Sequence, residues 1–224
     1  MPDETRDRVM EAAAELFAER GFRGATMRAI AESAGTNLAS AHYHFGSKAQ
    51  LYRDVAFAMF QGLQERLAER GLSPSESELA KRSRPELEEL LRARIETMLE
   101  SLLEQPGLHG SLMIRELSDP TPALKEIVRR FMDPVRKEFD AIVRRLEPAL
   151  SQAEAEDCTR SIAGQIFFYR THRPALLLMI GRKGYPRDFA KEIAGHVLEF
   201  SLGGLERIAK RSGKRGEEAC VAGS

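Results

Sequence analysis

The chain of 224 residues contains no tryptophan, only two cysteines and no net charge, because 34 basic residues balance 34 acidic ones. Cys158 and Cys220 lie far apart and neither belongs to a C-x-x-C pair. A disulfide or redox site is therefore less favoured than two ordinary thiols in a reducing compartment. Taken as a whole, a neutral chain argues against nucleic acid as a partner. A surface that binds nucleic acid would have to be local.

Long apolar runs and catalytic motifs are also missing. The longest apolar run, Pro174 to Ile180, is far too short to cross a bilayer, and no charged-then-apolar leader opens the chain. We therefore expect no contact with a membrane and a cytoplasmic location. The sequence has no H-E-x-x-H, G-x-S-x-G, P-loop or G-x-G-x-x-G motif. We expect no catalytic residue, no cofactor and no bound metal.

The residues that are abundant favour helices. Alternation of Val, Ile and Thr is scarce, whereas Leu, Ala, Glu and Arg recur at spacings of three and four residues along most of the chain. The sequence therefore predicts an all-α fold of about nine helices.

The stretch Thr26 to Leu51 has the pattern of a helix-turn-helix followed by the start of a third helix. Thr26 is a good N-cap for a first short helix, and Gly35 is suited to end it. Asn37 is a good N-cap for a second helix over Leu38 to Phe45. Two helices joined by about three residues have the spacing of a motif that reads DNA. A preceding helix that ends near Gly21 would complete its core.

The second of these helices presents small and polar residues on the face that its apolar residues leave free. Small side chains let a helix approach base edges closely, while hydroxyl and imidazole groups bind bases or phosphates. We expect base contacts from Asn37, Ala39, Ser40, His42 and Tyr43, and a phosphate contact from His44. His42 and His44 point about 200° apart on a helix, so they are unsuited to share a metal ion.

Basic residues are concentrated around this motif. Between Arg20 and Arg53 there are five basic residues and a single acid, although such a cluster is also common on ordinary surfaces. Arg28 and Lys48 lie in the first turns of helices, where the helix dipole disfavours a cation. A DNA phosphate would explain both positions. The predicted DNA-contacting residues are Thr26, Arg28, Asn37, Ala39, Ser40, His42, Tyr43, His44 and Lys48.

These residues together resemble the TetR family of bacterial transcriptional repressors. The resemblance covers about the first fifty residues and rests on Gly21-Phe22, Thr26, Ile30-Ala31, Ala34-Gly35, Tyr43-His44-Phe45, Ser47-Lys48 and Leu51. Thr36, Ala41, His42 and Gly46 depart from the usual pattern. The segments Asn37-Leu38-Ala39 and Tyr43 to Lys48 look most like the CecR-type subgroup.

The resemblance implies a division of the chain into three parts. Residues 1–50 would form the helix-turn-helix DNA-binding domain, and residues 51–211 a helical domain for effector binding and dimerisation. Residues 212–224, rich in Gly, Lys and Glu, would form a disordered tail. The implied protein is a homodimer that binds a palindromic double-stranded DNA operator and leaves it when a small-molecule effector binds.

Two helices are predicted to end the fold, Ser151 to about Arg182, interrupted at Pro174, and Pro186 to about Arg211. Their apolar residues cover more of each helix than the single face that packs within one subunit. Burial of the additional face against a second copy of the same pair would explain this. The alternative is that both faces are buried within one subunit. The resemblance favours a homodimer through these last two helices.

An effector site is predicted between the helices that begin near Leu87, Leu124 and Ser151. Bends at Pro134 and Pro174 would open space there, and His109 to Leu117 would be a movable connection to the DNA-binding domain. The candidate wall residues are Met98, Met113, Phe131, Phe168 and His172, with Arg115 or Arg170 as the charged contact. Methionine and phenylalanine at helical spacing are more often plain core than the wall of a binding site.

A ligand-responsive transcriptional repressor is the leading hypothesis. Two alternatives remain, a helical enzyme that uses the C-terminal cavity and a helix-turn-helix that serves only as a protein-interaction module. Sequence-specific binding to DNA would separate the first hypothesis from both alternatives.

Overall fold

A computed structural model describes the backbone of residues 2–103 and 109–222 and the side chains of residues 4–103 and 111–213. The regular structure of these residues is helical throughout, which confirms the all-α prediction. Within the same ranges, no helix is both long enough and apolar enough to cross a membrane.

The helices in chain order, including several short ones that the sequence did not predict, have the following bounds. They are α1 (Pro2–Gly24), α2 (Met27–Ser33), α3 (Leu38–Phe45), α4 (Lys48–Glu69), α5 (Glu76–Leu79), α6 (Arg84–Leu103), α7 (His109–Ser118), α8 (Leu124–Ile127), α9 (Asp133–Leu146), α10 (Gln152–Thr171), α11 (Arg173–Met179) and α12 (Phe189–Ala222). A π-helical turn, Val128–Met132, joins α8 to α9.

The chain groups into two compact units, each with its own helices. The first unit comprises Met1–Glu65 and Ser101–Met132, and the second comprises Arg66–Glu100 and Asp133–Ser224. The first unit therefore contains α1, the helix-turn-helix formed by α2 and α3, and the beginning of α4. From the later part of the chain it contains the end of α6, all of α7 and α8, and the π-helical turn.

The core of the first unit shows why the helix-turn-helix needs its neighbours. Helix α3 buries only Ala41 and Phe45, and α2 buries a further three residues. Helix α1 packs on α2, α3 and α7 and supplies much of the remaining apolar surface. The fully buried side chains of this core include Val9, Ala13, Phe17, Ile30, Ala41, Leu51 and Ile127.

Helix α1 continues past the residue at which the sequence predicted it to end. Gly21 adopts φ 71° and ψ 173°, and the helix resumes after it as far as Gly24. Glycine tolerates this backbone conformation because it lacks a Cβ atom. The predicted stop at Gly21 is therefore a kink within a longer helix.

The second unit is built on α6, α9, α10 and α12. Its buried apolar residues include Leu91, Ile95, Ile142, Val143, Ile162, Ile166 and Val197. Arg94 is fully buried among them, and its guanidinium lies 2.6 Å from the Glu138 carboxylate and 4.9 Å from the centroid of the Phe139 ring. A charge at this depth is tolerated because it is paired.

Proline interrupts two helices, as the sequence predicted, but each break falls just before the proline. Pro134 is the second residue of α9, and the π-helical turn precedes it. Since proline has no N–H to donate to the carbonyl four residues earlier, the helical hydrogen-bonding pattern widens at that point. Pro174 likewise occupies the first turn of α11, and the break lies at His172.

Two further helix boundaries differ from the sequence prediction. A single helical turn, α5, is one of the short helices that the sequence did not predict, and it begins with a reciprocal capping box of Ser75 and Glu78. Helix α12 extends to Ala222, past the expected end near Arg211. Lys, Arg, Glu and Ala in this segment are good helix formers. Residues 223–224 of the expected tail lie outside the described residues.

A second capping box begins α10. The side chain of Ser151 accepts a hydrogen bond from the Glu154 N–H, and the Glu154 carboxylate accepts bonds from the Ser151 N–H and hydroxyl. The hydroxyl of Ser212 donates to the same carboxylate over 2.6 Å. These bonds, that from Ser212 above all, lower the pKa of Glu154 to about 2.

Replacing Glu154 with glutamine tests the contribution of this charge. Because the pKa is lower in the folded state than in the unfolded chain, the carboxylate stabilises the fold above about pH 4.5, and this contribution is lost as the pH falls toward 2. We expect Glu154→Gln to lower the Tm at neutral pH, and the difference from wild type to shrink across that range. Circular dichroism melts measure this difference, with replacement of the exposed Glu199 of α12, Glu199→Gln, as the control. A difference that stays constant would contradict the assignment.

Candidate nucleic-acid interface

Helix α2 begins as the sequence predicted. Thr26 is its N-cap in an extended conformation, and its hydroxyl oxygen accepts a hydrogen bond from the Ala29 N–H over 3.1 Å. The buried residues of α2 turn Arg28 outward, and its side chain is exposed. Thr26 therefore caps α2 independently of any contact with DNA, and Arg28 is accessible to a DNA phosphate.

The turn into α3 also follows the predicted pattern. Gly35 adopts φ 62°, a conformation that favours glycine. Asn37 is the N-cap of α3, and its side-chain oxygen accepts a hydrogen bond from the Ser40 N–H over 2.8 Å. This bond fixes the first turn of α3, which is the part of a recognition helix that enters deepest into a groove.

Helix α3 has the two faces that a recognition helix requires. Ala41 and Phe45 are buried against the core of the first unit, whereas Tyr43 is 86% exposed. Among the other predicted contacts in this segment, Asn37, Ala39 and His42 are exposed, and Ser40 and His44 are half-buried. The predicted base-reading residues thus lie together on one short helix and its cap.

His42 makes a contact that the sequence did not indicate. Its Nδ1 lies 2.9 Å from the carbonyl oxygen of Gly46, so it must carry the proton and donate. In the neutral ring, Nε2 is then an acceptor, which matches the amino group of adenine or cytosine. Contact between His42 and a base remains a prediction.

The structure supplies an intramolecular partner for Lys48. Its Nζ donates to the carbonyl of Ala25 over 3.0 Å and lies 4.6 Å from the centroid of the Phe22 ring. These contacts compensate for the unfavourable helix dipole, so that dipole no longer requires a DNA phosphate beside Lys48. Contact between Lys48 and DNA remains a prediction.

One basic residue near α3 was missed by the sequence analysis. The guanidinium of Arg6 lies 5.5 Å from the centroid of the Phe45 ring, at the end of α3. Arg6 is exposed on the first turns of α1. No local pattern indicates this placement, because it depends on how α1 packs against α3.

Three of the seven predicted effector residues lie in the first unit. Arg115 donates from Nε to the Ala18 carbonyl and from Nη2 to the Glu19 carbonyl, over 2.8 and 2.7 Å. Phe131 packs with its ring 5.3 Å from that of Phe57 and 5.7 Å from that of Phe60. Met113 is partly buried against the same core. Phe131 and Met113 are thus core residues of this unit, and Arg115 is already bound to backbone.

The other four candidates lie in the second unit. The Phe168 ring stacks on the His172 ring at 4.5 Å, and both residues are exposed. Met98 on α6 and Arg170 on α10 are half-buried. Burial, followed by the nearby charge of Arg173, lowers the pKa of Arg170. Three of the seven candidates therefore belong to the first unit and four to the second.

A charged cleft of about 750 Å³ lies in the second unit and involves none of the seven candidates. Its lining residues are Glu76, Arg136, Lys137, Asp140, Ala141, Arg144, Arg145, Pro148, Gln152 and Glu156. Much of this charge is internally paired, since Arg136 binds Asp133 and Asp140, and Lys137 binds Asp133. The cleft lacks the apolar walls that the predicted effector site requires. Among the described side chains, no group of three or more His, Cys, Asp or Glu is placed to hold a metal ion.

Comparison with known proteins gives two family matches. Residues 9–55 match the family described as bacterial regulatory proteins, tetR family. Residues 87–205, more than half of the chain, match the C-terminal domain of the HTH-type transcriptional dual regulator CecR. Both matches confirm the resemblance identified from the residues of the helix-turn-helix.

Individual proteins match over different extents. CecR of Shigella flexneri is 29% identical over 198 residues, which cover 83% of this chain and 84% of that protein. The HTH-type transcriptional repressor KstR2 of Mycolicibacterium smegmatis is 43% identical over 54 residues, so the match spans 24% of this chain and only 26% of that relative. The structure of AibR in complex with isovaleryl coenzyme A and operator DNA has a TM-score of 0.62 at 14% identity, covering 88% of this chain and 97% of that chain. At that identity the similarity shows the fold alone.

Ser40 and Arg28 offer a test of base and phosphate contacts at this interface. We expect Ser40→Ala to relax preference at one base pair, by about 1 kcal/mol, the low end for a specific contact, because it removes one hydroxyl. Arg28→Ala should instead weaken binding to all sequences and make the slope of log K against log salt shallower by about one.

Binding-site selection and anisotropy titrations at several salt concentrations measure the two effects, and each variant is the control for the other. An unchanged sequence preference in Ser40→Ala would contradict its base contact. An unchanged salt slope in Arg28→Ala would contradict its phosphate contact.

Proposed function

Because the chain belongs to the TetR family of bacterial transcriptional regulators and carries a CecR-type C-terminal domain, we propose that it is a ligand-responsive repressor that binds a palindromic operator as a homodimer. The observation that best supports this proposal is the division of helix α3 into two faces. Ala41 and Phe45 are buried in the core, whereas Tyr43 is exposed. Family membership confirms that the chain is a transcriptional regulator and not an enzyme.

Helix α3 enters the major groove in this proposal. The small side chains of Ala39 and Ser40 lie in its opening turns and allow close approach to base edges. Tyr43 is 86% exposed and so accessible to a base, and Arg28 supplies a cation for the phosphate backbone. Since the first unit, which contains the helix-turn-helix, acts on DNA, we place the protein in the cytoplasm.

Dimerisation is proposed through the last two helical segments, α10 with α11 and α12. Large apolar side chains are exposed on these helices or directly after them, namely Leu178, Met179, Ile180 and Phe200. Apolar side chains of this size cluster on a surface when another molecule covers them. A second copy of the same helices would cover them and give the two-fold symmetry of a palindromic operator.

The proposed effector site lies in the second unit. Met98, Phe168, Arg170 and His172 remain candidate contacts, whereas Met113, Arg115 and Phe131 have partners in the first unit. AibR was crystallised with both isovaleryl coenzyme A and operator DNA, which supports a ligand-responsive role for this fold. Release from DNA requires the ligand to bind one of two arrangements of the reading units more tightly, by a coupling of about 1–3 kcal/mol.

The experiment that tests this function is a gel shift with DNA flanking the protein's own gene. We expect a specific complex that unlabelled DNA of the same sequence displaces and that unrelated DNA does not. Failure to distinguish the two DNAs would favour the alternative of a helix-turn-helix that serves only for protein interaction.

A charge placed on the proposed dimer surface should separate the subunits. Phe200 is 68% exposed on α12, so Phe200→Glu leaves the core of the unit intact but buries a charge if a second copy covers the surface. We expect a shift from dimer to monomer in sedimentation velocity and a loss of operator affinity. Glu199→Gln is the matched control. A dimeric Phe200→Glu would contradict the proposed interface.

Narrowing the proposed effector site should remove the response to ligand. Met98→Trp adds volume to a half-buried position of the second unit. We expect operator affinity within a few-fold of wild type and no release by a ligand that releases wild type, because the reading unit has a separate core. Normal release of the variant, or joint loss of release and dimerisation, would contradict this site.

A further inference from the structure

Two adjacent charged residues of α7, Arg115 and Glu116, bind two different parts of the first unit. The guanidinium of Arg115 forms two hydrogen bonds to backbone carbonyls of α1, those of Ala18 and Glu19. These carbonyls lie directly before the kink at Gly21, where the helical hydrogen-bonding pattern is interrupted. A cation is favourable at this end of a helical segment, where carbonyls lack intrahelical partners.

Glu116, the next residue of α7, is buried and uses both of its carboxylate oxygens. Oε2 accepts from the Tyr52 hydroxyl over 2.5 Å, and Oε1 accepts from the N–H and hydroxyl of Thr121 over 3.0 and 2.9 Å. Burial, reinforced by the bond to Glu116, raises the pKa of Tyr52 well above its ordinary value. The phenol therefore keeps the proton that it donates.

Tyr52 connects this carboxylate to the start of α2. Its ring packs edge-on against Phe17 and Phe22, with centroid distances of 4.9 and 5.1 Å. The Phe22 ring in turn lies under the ammonium group of Lys48, which binds the carbonyl of Ala25. Ala25 immediately precedes Thr26, the N-cap of α2. The contacts are continuous from α7 to the first residue of the helix-turn-helix.

We propose that Arg115 and Glu116 are positioning residues for DNA binding. Arg115 binds the segment of α1 that precedes the kink, and Glu116 binds Tyr52. Together these bonds fix the positions of Phe22 and of the start of α2, which packs against the recognition helix α3. Glu116 is 3% exposed and so does not touch DNA, and the guanidinium of Arg115 is bound to protein carbonyls, so the role of each lies in its contacts within the first unit. This inference rests on the proposed function only in requiring that wild type binds an operator.

The decisive variants are Arg115→Gln and Tyr52→Phe. The first removes the charged fork, and the second removes a single hydroxyl while keeping the ring, so it remains informative if the first fails to fold. Operator DNA obtained by selection with wild type is the probe, and fluorescence anisotropy at several salt concentrations gives Kd and the salt slope. Circular dichroism gives the folded fraction by which each Kd is corrected.

We expect Arg115→Gln to weaken operator binding on the order of tenfold and Tyr52→Phe by roughly threefold, the scale of a charge-assisted and a single hydrogen bond. The salt slope and the selected sequence should stay those of wild type, because no phosphate or base contact is lost. Arg115→Lys should recover part of the affinity, since lysine restores one cationic donor.

Arg130→Gln is the matched control. The Arg130 guanidinium belongs to the same unit, pairs with Glu126 and lies 4.9 Å from the Phe57 ring centroid. We expect the operator affinity of this variant to stay within twofold of wild type once the loss of one positive charge is allowed for. Wild-type affinity in both test variants would overturn the inference and leave the proposed function standing. A salt slope shallower by about one in Arg115→Gln would also overturn it, by showing a phosphate contact. Absence of specific binding by wild type would overturn the proposed function itself.

Discussion

The DNA-reading unit depends on the packing of one buried ring, that of Tyr52, against Phe17 and Phe22. Helices α2 and α3 are too short to bury an apolar core between them, so their orientation must come from the helices that surround them. Tyr52 brings α4 against both sides of the kink in α1, and its hydroxyl is bound by Glu116 of α7. The exposed face of α3 is therefore oriented by residues that precede and follow the motif along the chain.

Features that depend on local chain geometry were predictable from the sequence. Thr26 and Asn37 cap their helices as expected, because a side-chain oxygen at that position has a free N–H three residues away. Periodicity also predicted which face of α3 is buried, and the two prolines predicted where long helices break. In each case the determining interaction spans only a few residues.

Interactions between distant parts of the chain were not predictable in the same way. The sequence marked Lys48 and Arg115 as charges that require a partner, but these partners are carbonyls 23 and 97 residues earlier. Backbone carbonyls leave no signal in a sequence, so the pattern around Lys48 and Arg115 predicts a DNA phosphate and a ligand but cannot indicate these intramolecular contacts. Phe131 shows the same limit, because periodicity identifies an apolar face without saying which core it joins.

The neutral composition of the chain is reconciled with DNA binding by the position of its charges. The first unit as a whole carries 11 basic and 13 acidic residues, but five basic residues and a single acid lie between Arg20 and Arg53, and Arg6 and Arg28 are exposed. Net charge averages over all of these positions and so does not report a local basic surface. We therefore expect each subunit to bind DNA through its first unit, and specificity to require the first units of two subunits.

Hydroxyl-radical footprinting of the DNA flanking the protein's gene tests this claim most directly. We expect two protected half-sites related by a dyad, with their centres separated by one helical turn or a multiple of it, about 34–36 Å per turn. A single unpaired footprint, or uniform protection without sequence preference, would contradict it.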